Sequence, residues 1–154
     1  MVEVTRFEGV TVGRVRARLL ATTVPFHLYF VDGLLVDTGP YSLRREIEPF
    51  LRELPIEQVA VTHLHEDHCG LASMLASRGL PVHCPGESVE DAAREPRLPL
   101  YRRLIWGRRP PFPAKPLPDV LRAGARTFQV LGAPGHTADH AAFYEPERGW
   151  LFTG

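Results

Sequence analysis

The hydrophobic pattern opens strand-like and turns helical near residue 42. VEVTRF (2–7), VTVGRVRARLL (10–20), FHLYFV (26–31) and LLVDTG (34–39) read as β-strands, and Asp32-Gly33 between the last two predicts a two-residue hairpin. From Ser42, the residues Leu43, Ile47, Phe50, Leu51 and Leu54 recur at helical spacing, with Ser42 placed as N-cap and Pro49 set to kink the helix or remove one of its hydrogen bonds. VAVTH (59–63) is a β-branched run of the buried-strand type, followed by a polar loop and a helical stretch, LASMLASRG, that ends at Gly79. Pro81 to Cys84 predicts another short strand and SVEDAAR a short helix. Residues 94–118 hold seven prolines and six arginines, which predicts a short amphipathic helix within a long irregular loop. TFQVLG (127–132), HAAFYE (140–145) and GWLFTG (149–154) complete the strands. Helices mixed with strands, without an internal repeat, define an α/β or α+β class.

Composition narrows the function classes. The 154 residues correspond to one domain, 1–154, large enough to bury a core, and 44% hydrophobic with 23% charged residues is an ordinary globular balance. Eighteen basic and eighteen acidic residues cancel, so no long-range field draws the chain to nucleic acid or anionic lipid. No apolar run approaches the roughly 18 residues of a membrane helix, and the N-terminus carries acids where a signal peptide is basic and then apolar, which predicts a cytoplasmic protein with no membrane partner. Cys69 and Cys84 are too few and too far apart for a redox pair and read as small buried thiols.

Five of the seven histidines fall in two segments, THLHEDHCG (62–70) and APGHTADH (133–140). By composition alone HxHxDH is expected in roughly one such sequence in two thousand, and so many imidazole and carboxylate groups directly after a strand call for a cation. His63 and His65, two apart, can point to one side, while Asp67 and His68 can aim at a second point a few ångströms away. His136 completes a three-imidazole set of the kind that leaves zinc an open position, and the three side-chain nitrogens are expected to converge to within roughly 4 Å.

TxHxHxDHxG (Thr62 to Gly70), the upstream DTG (Asp37, Thr38, Gly39), PGHTxxH (Pro134 to His140) and the terminal LFTG resemble, in order and spacing, the metallo-β-lactamase-fold hydrolases, the glyoxalase II kind among them. The resemblance spans about residue 30 to the end. It implies an αβ/βα sandwich with the metals at one edge of two sheets, His63, His65 and His136 as first-site ligands, and Asp67 and His68 in the second site. Asp67 would also orient the attacking hydroxide, which makes it the catalytic candidate. Asp37 is implied as the acid supporting the metal-binding loop, alternatively an ordinary Asp-Thr-Gly turn. His140 is a supporting or core histidine, and Cys69 a wall residue. The cofactor implied is Zn²⁺, one or two per chain, with iron or manganese as alternatives. In this family an aspartate bridging both metals follows the TG and a later histidine serves the second metal, whereas the sequence stops at Gly154. The expectation is therefore an N-terminal portion of a longer chain, with the second sheet limited to the last two strands. A truncated form that self-associates as a homo-oligomer is the alternative, since an apolar face on Phe143, Trp150, Leu151 and Phe152 would lack cover.

The implied reaction is hydrolysis of an ester, thioester, lactone or phosphodiester by a zinc-activated hydroxide, with no Ser or Cys nucleophile required. A small-molecule substrate is the leading partner and RNA a second. Arg94, Arg97, Arg102, Arg103, Arg108 and Arg109 could grip a carboxylate, a glutathione-like tail or RNA phosphates, or simply form a solvated face with Glu90, Asp91 and Glu95. An iron-dependent sulfur or oxygen redox enzyme of the same fold and a non-catalytic truncated module are the alternatives to the hydrolase.

Overall fold

The computed structural model of the chain describes residues 1–19 and 22–154. Two sheets face each other. The first has seven strands in chain order: β1 (Glu3–Phe7), β2 (Val10–Leu19), β3 (Thr22–Val31), β4 (Leu34–Val36), β5 (Gln58–Ala60), β6 (Val82–Cys84) and β7 (Lys115–Pro116). The second has four, β8 (Val120–Ala123), β9 (Arg126–Gly132), β10 (Ala141–Glu145) and β11 (Trp150–Phe152), in the order β11-β10-β9-β8. The expected strand over 10–20 is β2, except that Leu20 lies outside the described residues.

Strand β4 is where the first sheet changes character, pairing antiparallel with β3 and parallel with β5. Asp32 and Gly33 make the predicted hairpin between β3 and β4, both at positive φ (45° and 90°), as a tight turn of primed type requires. The parallel half then needs crossovers, which the helices supply: α1 (Arg44–Glu53) between β4 and β5, and α2 (Glu66–Cys69) with α3 (Ala72–Ser77) between β5 and β6. Two further helices, α4 (Val89–Ala92) and α5 (Leu100–Ile105), sit in the Pro/Arg-rich connection to β7.

The helices differ from the sequence reading mainly at their starts. A 3-10 turn (Tyr41–Leu43) takes the first turn, so Leu43 and not Ser42 is the N-cap of α1, without a side-chain cap. The helix runs through Pro49 because Ile47, Phe50 and Leu51 on its buried face hold it against the sheet. At the end of α3, Gly79 takes φ 85°, and the bonds Gly79 N–H to Ala76 O (2.9 Å) and Leu80 N–H to Leu75 O (3.3 Å) form the double closure that the terminal glycine predicts.

Two apolar layers result. One packs α1 and α3 on the first sheet through Val15, Phe26, Leu28, Leu35, Ile47, Leu51, Val59 and Leu75. The other lies between the sheets, with Val10, Val31, Leu34, Val36 and Ala60 facing Leu121, Phe128, Ala141, Phe143 and Phe152. The second sheet is thus broader than two strands: the hairpin closing at Gly124 adds β8 to β9, and β9 pairs with β10. The expected uncovered face on Phe143, Trp150, Leu151 and Phe152 is largely covered. Phe143 and Phe152 pair across β10 and β11 and point into the inter-sheet core at 0% and 7% exposure, so of the four Leu151 alone is exposed. No described helix is long and apolar enough to cross a membrane.

Candidate metal centre

The strand ends of the parallel half place the site. Asp37 follows β4 in the left-handed conformation (φ 57°), which Asp tolerates better than most residues, and this turns its carboxylate back toward the end of β5. There Oδ1 accepts the backbone N–H of Thr62 (2.8 Å), and Oδ2 faces Thr62 Oγ1 (3.0 Å) and His68 Nδ1 (2.8 Å). Thr38 fastens the same two loops: its N–H donates to His68 O (2.6 Å), and its Oγ1 accepts from Leu71 N–H (3.0 Å). The Asp-Thr-Gly segment is therefore a brace for the histidine loop, and its ordinary-turn alternative is set aside.

His63 is buried, at 1% exposure, with its ring centroid 4.6 Å from that of His65, 4.3 Å from His68 and 5.0 Å from His136. Nitrogens of His63, His65 and His136 all lie within 4.8 Å of one another, and His65 Nδ1 and His136 Nε2 are hydrogen-bonded at 3.0 Å. The widest gap exceeds the expected 4 Å, and since metal–nitrogen bonds of about 2.0–2.1 Å require ligands roughly 3.4 Å apart, the rings must close by about 1.4 Å to share a cation. His136 comes from the β9–β10 loop, which is joined to the histidine loop by Ala141 N–H donating to Thr62 O (2.9 Å). Asp67 and His68 line the same cavity, of about 470 Å³, as His63 and His136, with Asp67 Oδ2 3.7 Å from His68 Nε2. Val24, Pro25, Phe26, His27 and Tyr29 of β3 form the opposite wall. His140 lines the same cavity, with its ring centroid 4.7 Å from that of His63 and its Nε2 2.8 Å from Thr153 O.

The electrostatics hold His63 and His65 in the neutral form and act oppositely on His68. Burial, reinforced by the surrounding imidazoles, pushes His63 down to about 2, and burial next to Arg102 lowers His65. For His68 burial acts in the same direction, but the hydrogen bond and charge of Asp37, with the charge of Asp67, outweigh it and raise the value. His63 Nε2 is buried and has no hydrogen-bond partner among the described residues. An unpaired buried ring nitrogen on an imidazole held neutral, beside two more imidazoles, is a donor set that fits a divalent cation. Neither cysteine competes as nucleophile: burial raises the Cys69 thiol well above its usual range and Cys84 to about 12.

Sequence reasoning overlooked Glu66, set between two of the candidate ligands. It is buried at 1% exposure and takes a two-pronged bond from Arg102 of α5, Nε to Oε1 at 2.6 Å and Nη2 to Oε2 at 2.9 Å. Arg102 thereby docks the Pro/Arg-rich segment on the histidine loop. Three more arginines of the segment are engaged: Arg109, also buried, donates to the carbonyls of Asp91, Ala92 and Arg94, Arg94 pairs with Glu90 and Asp91, and Arg108 pairs with Glu95. Arg102→Met should leave the buried Glu66 carboxylate unpaired and cost on the order of 3 kcal/mol, read as a lowered unfolding midpoint in urea. Arg102→Lys should recover only part of this, since an ammonium cannot make the fork.

A seven-plus-four-strand sandwich with helices on one outer face and a histidine–aspartate cluster at the strand ends is a partial αβ/βα architecture of the metallo-beta-lactamase type. Residues 29–154 match the family model of the metallo-beta-lactamase superfamily, and the chain belongs to that superfamily. The hydroxyacylglutathione hydrolase of Cereibacter sphaeroides (strain ATCC 17023) is 33% identical over 115 residues, which is 71% of this chain and 39% of that protein. The hydroxyacylglutathione hydrolase of Thermosynechococcus vestitus is 36% identical over 114 residues, 71% of this chain and 40% of that protein. The chain thus spans about two fifths of the length of these relatives. Among solved structures, a metallo-beta-lactamase from Pontibacter korlensis superposes with a TM-score of 0.72 at 24% identity, covering 100% of this chain and 71% of its own. A metallo-beta-lactamase family protein from Thermus thermophilus gives 0.71 at 27% identity, covering 96% and 59%.

Proposed function

We propose that the chain is the metal-binding part of a hydrolase acting on a small-molecule ester or thioester, and that His63, His65 and His136 hold its tightly bound cation. The observation carrying this reading is the buried, unpartnered Nε2 of His63 at the point where the nitrogens of His65 and His136 converge. Three imidazoles with an open fourth position are a ligand set typical of catalytic zinc, which favours zinc as the cation. A Lewis-acidic cation in this position acidifies water and polarises a carbonyl oxygen.

The protein's own groups supply the rest. Asp67, on the cavity wall and partly exposed, is placed to accept a proton from an attacking water and to orient it. Asp67 and His68 provide two ligands for a second cation, too few by themselves for tight binding. The wall formed by Pro25, Phe26 and Tyr29 gives an apolar surface for an acyl group. The hydroxyacylglutathione hydrolases, similar over most of this chain, favour a thioester over a phosphodiester.

Protein purified without added metal and analysed for zinc, iron and manganese should carry about one equivalent of zinc, and the zinc-loaded protein should hydrolyse S-acyl thioesters. Iron as the bound metal, with no hydrolysis, would replace this reading by the redox alternative. Asp67→Ala should keep most of the first metal and reduce turnover at least a hundredfold, the range in which positioned acid–base groups act.

A further inference from the structure

His63 and His68 face the cavity from adjacent positions, and one of them touches the carboxylate that braces the loop. Asp37 Oδ2 lies 2.8 Å from His68 Nδ1. Between Asp37 and His63 stands Thr62, which is 0% exposed and whose Oγ1 is 3.0 Å from Asp37 Oδ2 and 3.0 Å from His63 Nδ1. A threonine hydroxyl has one hydrogen and can give it to one neighbour only. A carboxylate accepts and does not donate, and a charge-assisted bond is the stronger use of that hydrogen, so it goes to Asp37. The Thr62 oxygen is then free to accept, and His63 must carry its proton on Nδ1. That leaves the Nε2 lone pair bare, in agreement with its lack of a partner among the described residues.

We propose that Thr62 is a positioning residue that transmits the hold of Asp37 to His63, so that a single buried carboxylate sets the ring tautomer of one imidazole directly and of another through a hydroxyl. The inference rests on the reading of the cluster as a metal centre. It makes the two halves of that centre mechanically dependent: His63 belongs to the converging three-histidine set, His68 to the Asp67 side, and Asp37 orients both. The backbone ties strengthen the arrangement, because the Thr62 N–H donates to Asp37 Oδ1 and the Thr62 carbonyl accepts from Ala141 N–H, next to the loop that brings in His136.

The test compares the full chain with Thr62→Val, Thr62→Ser and Asp37→Asn, using zinc alone as the probe. Imidazole nitrogen NMR of the metal-free wild type should show both His63 and His68 protonated at Nδ1. Thr62→Val should disturb the His63 signals and leave those of His68, whereas Asp37→Asn should disturb both. In competition with a chromophoric chelator, Thr62→Val should bind the first zinc about 10–100-fold more weakly, the usual effect of losing a partner behind a ligand, and Thr62→Ser should return to within about threefold of wild type. A wild-type His63 protonated at Nε2, a Thr62→Val protein binding zinc as tightly as wild type, or a serine variant as weak as the valine one would each overturn the proposal. Should Thr62→Val fail to fold, the wild-type tautomer and the serine variant decide. A wild type that binds no zinc removes the metal-centre reading, while the tautomer measurement still judges the hydrogen-bond relay on its own terms.

Discussion

His65→Ala is expected to empty the three-histidine site while leaving the fold in place. His65 precedes α2 in an extended conformation (φ −67°, ψ 143°), and what it gives the fold is its backbone: its carbonyl accepts from His68 N–H and Cys69 N–H, both at 3.0 Å, and from Cys69 Sγ at 3.2 Å. Alanine keeps all three. The imidazole is partly exposed and contacts other histidines, so its removal opens no apolar cavity, and the metal-free variant should unfold within about 1 kcal/mol of metal-free wild type. For the cation the loss is large. Structural zinc binding of about 10–16 kcal/mol shared among four ligands makes each worth about 2.5–4 kcal/mol, on the order of a hundredfold in affinity. Zinc content after dialysis should fall from about one per chain to below about a tenth, and with it hydrolysis and the stabilisation that the metal adds by mass action. Full zinc occupancy in the variant would remove His65 from the ligand set. His63→Ala makes a poorer test, since that ring is buried and its loss alters packing as well as ligation.

Elements with a local cause were legible in the sequence. The Asp32-Gly33 hairpin, the glycine ending α3 and the histidine cluster each depend on residues close together in the chain. His63, His65, Asp67 and His68 sit in six consecutive positions, so their convergence needs only a strand end and the first turn of a helix. His136, 71 residues beyond His65, was legible only as one more histidine in a second histidine-rich segment, and its convergence with the others depends on the fold. What stayed hidden depends on partners far along the chain. Glu66 is a surface-type residue by sequence and becomes a buried anion because Arg102, 36 positions later, folds back over it. Thr62 reads as a β-branched strand residue, and its hydroxyl acquires a role because Asp37, 25 positions earlier, adopts a left-handed turn. Strand β8 escapes a sequence reading because VLRA (120–123) is short and preceded by prolines, and it is a strand by virtue of pairing with β9.

Gly70 illustrates the same point with the largest expected loss of stability. Its φ of −59° and ψ of −29° are ordinary helical values, so by backbone preference alone alanine should be welcome and slightly stabilising. Space forbids it. A Cβ on Gly70 would stand 2.4 Å from Tyr41 N, 2.6 Å from Glu66 O and 2.8 Å from Gly39 O. All three are backbone atoms, on both loops of the brace, and none can swing aside as a side chain would. This is also where the two loops touch as strands do, through the bridge between Gly39 and Cys69. Gly70→Ala must therefore push the Asp37–Gly39 turn away from the histidine loop, stretching the bonds from Thr38 N to His68 O and from His68 Nδ1 to Asp37. Overpacking of a rigid site costs about 1–3 kcal/mol, and the lost buried hydrogen bonds add about 1 kcal/mol each, so a total of about 3–5 kcal/mol is expected. Urea unfolding should show the midpoint drop in proportion. Zinc affinity should fall as well, although every candidate ligand is still present. A Gly70→Ala protein with wild-type stability would mean that the two loops are not clamped together at this point, and the account of how Asp37 reaches both histidines would fail with it.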